Sequence, residues 1–175
     1  MQTPLDEAHT ENSPALPPFF AVPLWKLALM SFFTFGIYEL YWFYRNWQRV
    51  RVREQVDIRP SLRVLFGIFF CYSCFKRMKR YGLARGITPG PPILLLTILW
   101  IVTVISGRLP DPLWLISLLS FVFLLPMQAY VNRINLQESP GPDRNTQLTA
   151  WNWVGIVAGG CVLTLALVGM FAAPK

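Results

Sequence analysis

The stretch FFTFGIYELYWFYRNW, residues 32–47, decides how the rest of the chain is read. Nine of its sixteen residues are aromatic, Glu39 is the only acid lying inside an apolar run, and Arg45 leads into a basic region. Before it lie a short tail and an apolar run-in. After it come a basic segment and three hydrophobic runs.

An α-helix needs about 20 apolar residues to cross about 30 Å of hydrocarbon, and this chain groups its apolar residues in runs of that order. Of its 175 residues 54% are hydrophobic and 14% charged, against about 25% charged in a soluble domain. The expected fold class is all-α: a helical integral membrane bundle forming one domain over residues 19–175. Four transmembrane helices are expected near 24–43, 91–107, 112–131 and 151–171, with an interfacial or re-entrant helix near 61–76.

Residues 1–18 hold Asp6, Glu7, Glu11 and four prolines but no Lys or Arg, which reads as a disordered tail. It lacks the basic start of a secretory signal peptide, so the first hydrophobic run is expected to be retained. Gly36 beside Thr34 is expected to kink that run. Beyond Phe43 the helical pattern continues with Arg45, Arg49 and Arg53 spaced by four on one face.

Eleven of the sixteen basic residues fall between Arg45 and Gly90, against Glu54 and Asp57. The positive-inside rule makes this segment cytoplasmic. Residues 61–76 are short for a span and flanked by cations at both ends, hence the interfacial reading. Residues 91–107 open on Pro-Gly-Pro-Pro and must return through 112–131 as a helical hairpin, with a kink expected at Pro126. Ser139-Pro140-Gly141-Pro142-Asp143 centres a polar loop before the last run, which starts at Trp151 and Trp153. Counting crossings then puts both termini outside the cytoplasm if the first stretch crosses completely; with a cytoplasmic N-terminus, Gly36 is instead the turn of a re-entrant hairpin.

The run Thr34 to Trp47 carries Thr34, Gly36, Tyr38, Tyr41, Trp42 and Tyr44 in the spacing T-x-G-x-Y-x-x-Y-W-x-Y. With Arg59-Pro60, residues 66–74 and Asn152-Trp153-Val154-Gly155, it resembles an uncharacterised family of small bacterial multi-pass inner-membrane proteins with a domain of unknown function. The resemblance implies a bacterial inner-membrane location and carries no activity with it.

Glu39 is the sharpest candidate for function, because an ionisable group in hydrocarbon costs about 2.5–3.5 kcal/mol on insertion scales. It reads as a proton or cation site, as a buried partner for Arg59 or Arg63, or as a hydrated interfacial acid. Tyr38, Tyr41, Trp42, Tyr44 and Trp47, with Arg45 able to stack on a ring face, read as an aromatic belt that sets helix depth or as a lipid or ligand platform. Arg49, Arg53, Lys76, Arg77, Lys79 and Arg80 form the expected face for anionic headgroups, each worth about 1 kcal/mol near such a surface. No nucleic-acid motif accompanies them.

Cys71 and Cys74 form C-x-x-C, but the only histidine is His9 in the tail, so neither metal nor cofactor is expected. Gly155, Gly159, Ala166 and Gly169 make a small-residue face on the last run, suited to intrachain packing against the hairpin of 91–107 and 112–131 or to a homodimer or membrane-protein seam. No catalytic constellation is present, so an enzyme is not expected. The leading function is a non-enzymatic membrane component that associates with anionic lipid or a membrane partner. Alternatives are a small transporter or channel subunit using Glu39, and a membrane enzyme acting on lipid.

Overall fold

The computed structural model describes residues 17–139 and 145–172. Among them every regular element is helical, so the all-α class holds. The tail expected over 1–18 lies outside the described residues apart from Pro17 and Pro18, and so does most of the turn at 139–143.

The first hydrophobic stretch takes the reversal at Gly36 and not the continuous span. Instead of one kinked helix over 24–43 there are two, α1 (Leu24–Phe33) and α2 (Ile37–Glu54). Phe35 and Gly36 between them both take left-handed backbone, at φ 52° and 83°. Such a conformation costs an L-residue about 1–2 kcal/mol but is open to glycine. A Cβ on Gly36 would meet nothing within 4 Å, so it is the backbone angle and not space that calls for glycine. Thr34 stitches the turn: its Oγ1 donates to the Met30 carbonyl at 2.6 Å and accepts from the Tyr38 N–H at 3.0 Å.

The chain therefore folds back on itself. Residues 17–23, which precede α1, run beside α2: Phe20 N–H donates to Asn46 Oδ1 at 3.1 Å, and the Phe20 and Tyr41 rings meet edge to face at 5.6 Å. This extended strap has no strand partner, and amide side chains satisfy its backbone instead. Asn135 exchanges two hydrogen bonds with Phe19, at 3.1 and 3.2 Å. Gln128 Nε2 donates to the Phe20 and Val22 carbonyls, Asn132 donates to Val22, and Arg53 donates to the Pro18 carbonyl.

The expected helix near 61–76 is likewise two, α3 (Pro60–Leu65) and α4 (Gly67–Leu83), meeting at Phe66. Cys71, Cys74, Phe75, Met78 and Gly82 are the buried stripe of α4, at the i, i+3, i+4, i+7 and i+11 positions of an amphipathic helix. Helix α5 (Ile93–Ile105) continues as one 3-10 turn to Arg108 and reverses; a 3-10 stretch, Leu113–Phe123, then leads into α6 (Leu125–Glu138). Pro126 sits in the first turn of α6, where a missing N–H is tolerated, so the change of helix type falls at Leu124. The last helix is α7 (Ala150–Ala172).

Two helices, Leu113–Glu138 and Ala150–Met170, are long and apolar enough to cross a membrane; Leu24–Phe33 and Ile93–Arg108 are apolar but shorter. The core is aromatic: Phe43 contacts Trp42, Phe75 and Trp100 at ring centroid distances of 5.0, 6.0 and 5.2 Å. Trp47, Met78, Met127 and Tyr130 complete it. Lys26 is buried at the foot of α1, its Nζ donating to the Asn145 and Gln147 carbonyls and to Asn145 Oδ1 at 2.7–3.1 Å. That clip ties the start of α7 to the start of α1, and the two helices run parallel from there.

Candidate functional site

Glu39 is the third residue of α2, and the turn at Gly36 aims it inward rather than at a flanking arginine. It is 2% exposed. Oε2 accepts from Trp100 Nε1 and Oε1 from Ser120 Oγ, both at 2.6 Å. One carboxylate thus joins α2, α5 and the 3-10 stretch. The pairing with Arg59 or Arg63 is not formed: Arg59 is exposed, and the Arg63 guanidinium lies over the Trp47 and Phe70 rings at 4.3 and 5.1 Å. Each hydrogen bond to a charged group contributes about 1.5–3 kcal/mol. Both carboxylate oxygens of Glu39 are engaged. Beside it lies a cavity of about 470 Å³ whose wall includes Gly36, Leu65, Gly67, Trp100, Val104 and Arg108.

The aromatic group divides between inside and outside. Trp42 is fully buried, its Nε1 donating to Gln128 Oε1, and Tyr38 is buried beside it. Neither presents a ring face outward, so an aromatic belt made of all of them is not formed. Tyr41 is 44% exposed and keeps such a role open to it. Trp100, Ser120 and Gln128 belong to no motif that the sequence displays. Their signal is the placing of polar groups within apolar runs, at Ser120 and Gln128.

The basic residues also divide. Arg53 and Arg77 both pair with Glu54. Arg53 also lies over the Phe19 and Tyr81 rings, at 4.3 and 4.1 Å, and burial lowers its affinity for the proton. Each four-residue step on a helix of 3.6 residues per turn rotates by about 40°, so Arg53 has drifted about 80° from Arg45 towards the core. Arg85 pairs with Glu138 at 2.6 Å. Lys76 and Arg80 point outward, and the stem of Lys79 lies along Gly90.

Arg45 and Arg49 stay on the outward face of α2. With Gln48, Arg51, Gln55 and Asp57 they line a cleft of about 750 Å³. The Arg45 guanidinium lies 5.7 and 5.9 Å from the Phe20 and Tyr41 ring centres.

Burial pushes the Cys74 thiol up and the Cys71 thiol up to about 12, the opposite of a reactive C-x-x-C. Among the described residues no group of three or more His, Cys, Asp or Glu side chains gathers as a metal would require.

Gly159 packs directly on the Phe33 carbonyl, and a Cβ on Gly155 would lie 3.5 Å from Thr34 Cγ2. This part of the small-residue face is used within the chain, against α1 and not against the α5 hairpin. Ala166 is half-buried further along, and a Cβ on Gly169 would meet nothing within 4 Å. Compared with protein-family models, with curated proteins and with solved structures, the chain matches none of them.

Proposed function

We propose that the chain is a non-enzymatic integral membrane protein of the bacterial cytoplasmic membrane, one of the family its T-x-G-x-Y-x-x-Y-W-x-Y signature resembles. In this reading α5, Leu113–Glu138 and α7 cross the bilayer, while α1–α2 and α3–α4 dip in and return. Its basic end faces the cytoplasm and associates with anionic lipid. The observation that carries the reading is α7: over Ala150–Met170 it is apolar, and none of its hydrophobic window is buried, as suits a helix surrounded by hydrocarbon.

The dips follow from length. Ten residues of α1 reach roughly 15 Å, half of a bilayer core. Residues 18–22, beside Arg53 and Asn135, would share the cytoplasmic side with the basic segment, unlike an N-terminus outside. In a cysteine-free background, Pro18→Cys and Arg80→Cys should be shielded from an impermeant maleimide in intact spheroplasts, while Asp111→Cys reacts. Labelling of Pro18→Cys together with Asp111→Cys would overturn the re-entrant arrangement.

The cavity beside Glu39 favours a second reading, a small transporter or channel subunit. Proton or cation flux into liposomes that Glu39→Gln abolishes without unfolding the protein would support it over the first.

A further inference from the structure

The outward face of α2 changes character along its length. Ile37, Leu40 and Tyr41 are exposed and apolar or aromatic near the turn; Arg45, Gln48, Arg49, Arg51 and Gln55 follow on the same side. A lipid molecule has this sequence of chemistry, acyl chain first and headgroup after.

The cleft at the polar end holds three guanidinium groups and one carboxylate, Asp57. None of the three arginines forms an ion pair among the described residues, in contrast to Arg53, Arg77 and Arg85. Arg45 Nε is buried without an acceptor. An unanswered buried donor is costly, and a bound anion that draws the side chain round would supply the acceptor. Burial and the neighbouring Arg45 both lower the proton affinity of Arg49, as two uncompensated cations side by side would. The volume, about 750 Å³, lies in the range of small-ligand sites.

We infer that this cleft is a binding site for one anionic phospholipid whose headgroup carries two negative charges. The inference rests on the membrane reading above. Three arginines against Asp57 leave an excess of two positive charges, which a phosphomonoester headgroup of about −1.5 to −2 neutralises. Guanidinium forks suit phosphate oxygens because they can donate two parallel hydrogen bonds. The exposed Ile37, Leu40 and Tyr41 continue the site into the apolar zone, where an acyl chain lies and a free phosphate has nothing to contact.

The test titrates the full-length protein, in a neutral detergent, with phosphatidic acid, phosphatidylglycerol or phosphatidylcholine, counting bound lipids by native mass spectrometry. Phosphatidic acid should bind at least tenfold more tightly than phosphatidylglycerol. Arg49→Gln with Arg51→Gln should remove that preference, whereas Lys76→Gln with Arg80→Gln should change it less than twofold. Because Arg45 stacks on Phe20 and Tyr41, the second probe leaves it in place: Val52→Glu, at an exposed position lining the cleft, should weaken phosphatidic acid at least fivefold. Preference that survives both cleft variants overturns the site while leaving the general lipid reading intact. Failure of the unaltered protein to bind any anionic lipid overturns both. Displacement of the lipid by equimolar inorganic phosphate would show that the cleft takes the free anion, and that too overturns the inference.

Discussion

Alanine placed in turn at Gly155, Gly159 and Gly169 of α7 gives the sharpest stability test, because one substitution on one helix meets three different surroundings. At Gly159 the new Cβ would overlap the backbone carbonyl of Phe33, and a backbone atom cannot rotate aside as a side chain can. The α1–α7 contact must open, at the typical overpacking cost of about 1–3 kcal/mol. Helix propensity returns up to about 1 kcal/mol for Gly→Ala. With the full propensity gain, the net expectation is a loss of up to about 2 kcal/mol. At Gly155 the nearest atom is Thr34 Cγ2 at 3.5 Å, an ordinary van der Waals contact, so only the propensity gain remains. At Gly169 nothing lies within 4 Å and the same small gain is expected. Unfolding of each variant by a denaturing detergent, followed through tryptophan fluorescence, reads the difference directly. Equal effects at Gly155 and Gly159 would refute the α1–α7 packing, and a loss at Gly169 alone would move the close contact to a second molecule.

Glu39→Leu removes both acceptors and leaves the buried Trp100 Nε1 unanswered, so thermal stability should fall by about 1–3 kcal/mol. Trp100→Phe should add less on top of it than it costs alone, since both remove one interaction; strict additivity would dissociate the two groups. Gln128→Leu strips the strap of two carbonyl partners and Trp42 of its acceptor. Amide exchange across residues 19–22 should then rise at least tenfold, and unchanged exchange would mean the strap is held without it. Cys71 and Cys74, with thiol pKa values raised by burial, should resist a membrane-permeant maleimide at pH 8 until the protein is unfolded. A thiol whose folded pKa is raised contributes stability below its unfolded value near 8.5 and loses it as pH climbs beyond. Cys71→Ser with Cys74→Ser should therefore flatten the alkaline loss of stability, and an identical alkaline profile would count against the buried thiols as its cause.

Runs of apolar residues make the helices legible, because each run must find apolar surroundings whatever the topology. The α5 hairpin is legible too, since a six-residue connection, polar or turn-forming but for Leu109, leaves little but reversal between two apolar runs. What periodicity does not report is direction. Thr34-Phe35-Gly36 carries no proline and no charge, and a glycine inside an apolar run is as compatible with a bend as with a reversal. The choice is made by partners remote in sequence: Asn46, Gln128, Asn132 and Asn135, which hold residues 18–22 alongside α2. Likewise the spacing of Arg45, Arg49 and Arg53 is visible, yet the drift that sends Arg53 to Tyr81 shows only over two helical turns.

The reversal at Gly36 also explains why an acid is tolerated at position 39. In a continuous helix over 24–43, Glu39 would sit mid-helix, with every nearby backbone N–H already committed. Breaking the chain at Gly36 starts a new helix there, and Glu39 falls in its first turn. Helix N-termini carry about half a positive charge, which favours a carboxylate by about 0.3–1 kcal/mol at the surface and up to about 2 in buried settings. Trp100 and Ser120 then answer the two oxygens from the other side. The glycine and the acid are thus two halves of one device: the turn creates the helix end, the helix end accommodates the carboxylate, and the carboxylate fastens the returning arm to the α5 hairpin.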